Sequence, residues 1–193
     1  MTAVPRRKWT TEEYLVFERA SQEHHEFIGG QPRLVPGASR NQSKIGVNVI
    51  ASLVNQLRKS QAEVYSASMR VCIPHTTDYV YPGVMVVSDA PQFEDSKFDT
   101  LLNPTVIIEV LSSSTEQFDR RGMFQRYQTI ESLREYILIS QDMAWVESYF
   151  RPAHDAGWQY SHANDLNTAI ELTSIEAKLP LEDIYLKVSF EPE

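Results

Sequence analysis

Cysteine is nearly absent. Cys72 stands alone among 193 residues, so no internal disulfide can form and the chain suits a reducing cytoplasm. Its setting in MRVCI, a strand-like run, marks it as a packed thiol rather than a nucleophile. Basic residues are outnumbered, 18 Lys+Arg against 26 Asp+Glu, which leaves a net charge of −8. The broad positive surface of a typical nucleic-acid binder is missing, so tight generic DNA binding is disfavoured. Glycine is sparse, at 7 residues. None is spaced as a phosphate-cradling loop or a nucleophile elbow, and no Cys/His spacing matches a structural zinc site. No stretch reaches the roughly 18 apolar residues of a membrane span. MTAVPRRKW at the N-terminus has no apolar signal-peptide core. These absences lead to the expectation of a soluble, cytoplasmic protein with no membrane partner.

Apolar residues are ample at 42%, enough for one domain over 1–193 with a short N-terminal arm at about 1–9. Thr10 and Glu13 have capping-box spacing ahead of Tyr14, Leu15 and Phe17, which predicts a short first helix. HHEFIGGQPRLV (24–35) reads as a hairpin turning at Gly29-Gly30. Ile45, Val49, Ile50, Leu53 and Leu57 form one stripe, predicting an amphipathic helix from Ser39 to about Lys59. Strand-like runs follow at 63–66, 69–73, 79–87 and 104–111, with a polar loop, SDAPQFEDSKFD, before the last. Ser114 to Ile130 reads as a helix capped by Ser114 and Gln117, with Phe118, Phe124, Tyr127 and Ile130 or Leu133 on its apolar side. Strands at 135–140, 144–151 and 157–162 and a short helix near Leu181–Tyr185 complete an α/β chain, a mixed sheet flanked by helices. In YVYPGVMVV (79–87), Pro82-Gly83 interrupts a strand-forming run, as a bulge or an edge position would.

Glu109 is the most informative polar residue. Its strand, TVIIEVL, is apolar around it, so an ionised carboxylate there needs a partner. Two readings stay open: a salt bridge to a core arginine, or a metal ligand or acid/base near the strand's end. Glu26 in HHEFIGG reads locally as a solvated hairpin residue. His24 and His25 are adjacent, and strand alternation would point them to opposite faces, unable to grip one ion. Arg6-Arg7-Lys8 and the set Arg120, Arg121 and Arg126 are modest basic clusters.

Taken in order, HEFIGGQ, SRNQSKI, YPGVMVV, IIEVLSSST and DRRGMFQRY resemble the Uma-two family, from about Tyr14 to Tyr185. The resemblance implies a restriction-endonuclease-like, PD-(D/E)xK fold and Mg2+-dependent phosphodiester hydrolysis of nucleic acid. In that scheme an Asp after the Pro and a Glu on the next strand hold the ion, which activates a water. A Lys four residues before a helical Tyr stabilises the developing charge. An early hairpin Glu and a His opening the second helix complete the set. Glu26 and Glu109 match, Glu109 as the metal ligand. Gly83 replaces the Asp, Met123 the Lys and Gln42 the His. Asp78 and Asp89 lie too far along an extended chain to substitute. Glu109 alone could keep a weak magnesium site, and Arg120 or Arg126, flanking Met123 by one turn, could supply a positive charge to a phosphate.

Three functions follow from the resemblance. The first is a nuclease-family protein whose activity is abolished or severely reduced. The second is an active endonuclease with a rearranged site on Glu26 and Glu109. The third is a non-catalytic homo-oligomeric or regulatory protein, since restriction-type folds commonly form homodimers.

Overall fold

A computed structural model describes residues 7–112 and 118–190 of the chain. The first helix, α1 (Thr11–Ala20), begins with the expected capping box: Thr10 accepts from the Glu13 amide and the Glu13 carboxylate accepts from the Thr10 amide. The hairpin of β1 (His25–Ile28) and β2 (Gln31–Leu34) turns where predicted. Gly29 and Gly30 take φ of 61° and 81°, positive values that both central residues of such a two-residue turn need. In α2 (Arg40–Leu57), capped by Ser39, the side chains of Ile45, Val49, Leu53 and Leu57 are buried. Each such burial stabilises by about 1.5–3 kcal/mol.

Five strands follow: β3 (Glu63–Ser66), β4 (Arg70–Ile73), β5 (Asp78–Val80), β6 (Val84–Val87) and the short, unforeseen β7 (Thr100–Leu101), just after the expected polar loop. They lead to β8 (Val106–Leu111). Here the reading of 79–87 as one interrupted strand is corrected. β5 belongs to one sheet and β6 to another, and Tyr81-Pro82-Gly83 carries the chain between them. A Pro without an N–H and a Gly without a side chain suit a crossing where no ladder runs on either side.

The predicted helix over 114–130 is also corrected. A π-helical turn (Phe118–Met123) runs into α3 (Phe124–Tyr127), and the helix stops there. Arg151, nearly fully buried, explains the stop, because its guanidinium takes the carbonyls of Gln128, Ile130 and Leu133. The Ser114–Gln117 cap lies outside the described residues. Beyond it come β9 (Glu135–Ser140), β10 (Val146–Phe150) and β11 (Gln159–Ala163), close to expectation. The hairpin of β12 (Ala169–Leu172) and β13 (Ala177–Pro180) was not foreseen, and α4 (Leu181–Ile184) follows it.

The expected single mixed sheet is divided. One sheet has the order β2-β1-β5-β4-β7, a second β11-β10-β9-β8-β6-β3, and β12-β13 stands as a pair. Both larger sheets are mixed, with β4 parallel to β7 and β8 parallel to β9. On one face of the six-stranded sheet, Val84, Val86, Val106, Ile108, Ile137 and Ile139 pack against the α2 stripe and the C-terminal hairpin. On the other face, Met85, Ile107, Leu111, Tyr136 and Leu138 pack with Met123 and Tyr127, and with Val71, Ile73 and Val80 of the five-stranded sheet. Tyr14, Phe27, Cys72 and Tyr79 fill a third cluster beneath α1. Cys72 is the packed thiol expected, and burial pushes it up to about 11. No helix among the described residues is long and apolar enough to cross a membrane.

Candidate active site

Strand alternation places the two matching glutamates in one space. Glu109 lies between Ile107 and Leu111 on β8, so it projects from the face that meets the five-stranded sheet. Glu26 lies two residues before Ile28, which packs into the same cluster, and so faces that layer from the other side. It is half-buried and in register with Arg33 of β2, not a fully solvated hairpin residue. Tyr127 reaches this layer from α3 and is fully buried.

Glu109 is held at both oxygens. Tyr127 donates its hydroxyl to Oε1 at 2.9 Å, and the Gly83 amide donates to Oε2 at 3.0 Å. Two charge-assisted hydrogen bonds thus steady the carboxylate. The Tyr127 phenol is pushed far up, first by burial and then by the charges of Glu109, Tyr136 and Glu26. It stays a donor at any ordinary pH.

Gly83 fits this position for a second reason. A Cβ built there would stand 3.1 Å from the Ile108 carbonyl oxygen and 3.8 Å from Glu109 Oε2. The neighbouring backbone is closed onto the glycine, and a side chain needs it to give by a few tenths of an ångström.

The other substituted positions are also engaged. Met123, at the end of the π-helical turn, is buried in the apolar cluster with Leu111 and Ile28. Gln42 closes the α2 capping box with Ser39 and donates Nε2 to the Val110 carbonyl at 3.1 Å, tying the helix start to the strand of Glu109. The two arginines expected to offer charge have carboxylate partners instead. Arg120 pairs with Glu147 on β10, and Arg126 donates Nε to Asp78 at 2.8 Å. Asp78 also accepts from the Gly29 amide at 2.9 Å, so it ties α3 to the hairpin turn. Sequence reasoning considered Asp78 only as a distant metal ligand and missed this tie.

The two histidines depart from the alternation argument. Both approach Glu18 of α1, with His25 Nδ1 at 3.1 Å from Oε2 and His24 Nδ1 at 3.6 Å from Oε1. His24 precedes β1, so period-two alternation does not govern it. Tyr81 also donates to Glu18, at 2.7 Å, which anchors the start of the crossing that ends at Gly83. Among the described residues no three His, Cys, Asp or Glu side chains converge as a metal site.

Comparison with known proteins bears on this geometry. The sequence profile described as "Uma2: Putative restriction endonuclease" matches residues 11–182. An uncharacterized Synechocystis protein (sll1609) is 35% identical over 164 residues, covering 85% of this chain and 92% of the relative. A second from the same organism (slr1290) is 30% identical over 188 residues, 97% of each chain. A crystal structure from Anabaena variabilis, described as a putative nuclease belonging to DUF820, matches with a TM-score of 0.74 at 15% identity. That match covers 91% of this chain and 97% of the other. Likeness at this identity establishes the fold, which is restriction-endonuclease-like.

Proposed function

Because the chain belongs to the Uma2 family, we propose that it is a nuclease-fold protein whose metal-dependent phosphodiester hydrolysis is abolished or severely reduced. In this reading the domain is retained for binding. The observation that carries it is the hold on Glu109: an amide and a phenol donate to its two oxygens, where the family scheme has a cation shared with an aspartate.

The residues present do not fit a resident magnesium ion. Magnesium asks for near-octahedral oxygen ligands, usually one or two carboxylates with waters and substrate phosphate. Gly83 offers no oxygen from a side chain, and a carboxylate stem there would crowd the Ile108 carbonyl, which would have to give by a few tenths of an ångström. The position of the Lys is filled by Met123, sealed in apolar packing, and Arg120 and Arg126 are committed to Glu147 and Asp78. Loss of one electrostatic stabiliser costs on the order of 10²–10³ in rate. Loss of the Asp and the Lys together leaves little activity, although such effects do not simply add.

Plasmid nicking by the purified protein, with magnesium or manganese, tests this. The natural chain is expected to be inert. Gly83→Asp/Met123→Lys is expected to restore cleavage that a further Glu109→Ala removes, provided thermal unfolding shows that the variant folds. Cleavage by the natural chain that Glu109→Ala abolishes would sink the proposal and favour an active site rearranged on Glu26 and Glu109.

A further inference from the structure

We propose that a groove at the far edge of the six-stranded sheet accepts an extended, basic peptide strand from a protein partner. The inference goes beyond the loss of cleavage and does not depend on it. β11 is the terminal strand of its sheet, and β12 is paired only with β13. Among the described residues, neither β11 nor β12 has a backbone hydrogen-bond partner on its other side. An open groove of about 540 Å³ lies between these two edges.

The walls of the groove include the edge of β11 and, at Ser148 and Phe150 of β10 with their register partners Ser161 and Gln159, part of the adjoining face. Residues that line a sheet face alternate along a strand. Here all five residues of β11, Gln159 through Ala163, line the groove in unbroken succession, and so do Thr168 through Glu171 opposite. Ser148, Phe150, Asn164, Asp165 and Thr173 complete the lining. The β11 edge is therefore a backbone ladder with one side unused. A strand laid along the free edge of β11 extends the six-stranded sheet. Main-chain hydrogen bonds supply the affinity in such strand addition, and side-chain pockets supply the selectivity. Open edges of this kind are usually blunted by lysine, proline or a covering loop. Residues 159–163 contain neither lysine nor proline.

Charge selects the occupant. Asp165 and Glu171 line the groove, and no Lys or Arg does among the described residues. Asp165 is held below the usual carboxylate range by the backbone amide and side chain of Asn167, so it keeps its charge. Glu171 stands across from Lys178 on β13, which offsets part of its charge from behind but lies outside the groove. A second copy docking edge to edge would bring the same acidic groups against each other. A strand bearing lysine or arginine would not.

The test uses the full chain and a fluorescein-labelled peptide of about eight residues, alternating lysine with valine or threonine, a length sufficient for one strand. Fluorescence anisotropy is expected to show saturable binding. A glutamate version, and one N-methylated at alternate backbone amides, should bind about tenfold more weakly or not at all. Asp165→Lys/Glu171→Lys, both exposed and remote from Glu109, should weaken the lysine peptide by about tenfold, with thermal unfolding showing that the variant still folds. No binding of the lysine peptide, or equal binding of its N-methylated form, overturns the proposal. So does indifference to the charge reversal. Concentration-dependent dimers in sedimentation that the lysine peptide dissolves would also overturn it, naming a second copy as the occupant.

Discussion

Glu109 and Glu135 stand on adjacent strands, β8 and β9, but point to opposite faces of the six-stranded sheet. Glu135 shares its face with Ile137 and Ile139 on the α2 side, while Glu109 shares the other with Ile107 and Leu111. Donors meet Glu109 at both oxygens. Glu135, with no exposed surface, receives the Ser174 amide at Oε1, at 2.7 Å, whereas its Oε2 is buried with no partner among the described residues. Burial pushes its carboxyl up to about 7 against the lowering effect of its hydrogen bonds from Ser174 and Thr173. The difference teaches how this sheet carries acidic groups. At Glu109 each oxygen meets a donor, whereas at Glu135 the donors leave Oε2 buried without a partner among the described residues, and burial holds the carboxyl protonated toward neutrality.

The largest effect expected from this contrast is a pH dependence of stability at Glu135. Its folded value lies above the ordinary 4.5, so the folded chain holds a proton that the unfolded chain has released. Stability is then full below about 4.5 and falls as pH rises through about 7. A shift from 4.5 to about 7 corresponds to about 3 kcal/mol, at roughly 1.36 kcal/mol per pH unit. Urea unfolding of the wild type and Glu135→Gln at pH 5 and pH 8 checks it. The amide mimics the protonated acid, so the variant should gain about 3 kcal/mol relative to wild type between the two conditions. Parallel pH dependence in the two proteins would break the comparison on the Glu135 side.

The next effect lies on the Glu109 side. Tyr127→Phe keeps the ring and removes the hydroxyl that meets Oε1. A carboxylate oxygen left without its buried donor costs about 1–3 kcal/mol. Chemical denaturation should show this loss with an unchanged denaturant slope. A cost below about 0.5 kcal/mol would mean that the phenol is not what steadies Glu109.

Much of this frame was legible beforehand. The α1 and α2 caps, the Gly29-Gly30 turn and the burial of Glu109's strand follow from local chemistry and periodicity, signals that span only a few residues. The failures were at places decided by distant partners. Nothing in YVYPGVMVV tells a bulge from a crossing between sheets, because the answer lies in which strands β5 and β6 meet. The helix predicted to reach Ile130 stops at Tyr127 because Arg151, far along the chain, takes the carbonyls beyond it. The site behaved likewise. Glu26 and Glu109 come to face one layer, but the partners of Arg120 and Arg126 are carboxylates on other elements. Helical spacing had placed both arginines near Met123 without showing where their side chains end. The role of Tyr127 was the accessible miss. A tyrosine on an apolar helix face needs a buried partner for its hydroxyl, and Glu109 was the acceptor most in need of a donor.

The smallest effect sharpens the comparison most, because the same substitution is made at the two glutamates. Glu109→Gln preserves shape and removes charge. Its carbonyl oxygen can accept from Gly83, and its amide nitrogen can face Tyr127, whose hydroxyl accepts as readily as it donates. Both contacts survive in neutral form, about half as strong as charge-assisted ones, so the loss should be about 1 kcal/mol or less. At pH 8 the two variants should then differ in sign, Glu135→Gln more stable than wild type and Glu109→Gln slightly less. A gain at both positions would show that Glu109, too, is a charge the fold tolerates at a cost. That result would undercut the idea that its two donors replace the stabilisation a cation supplies elsewhere in the family.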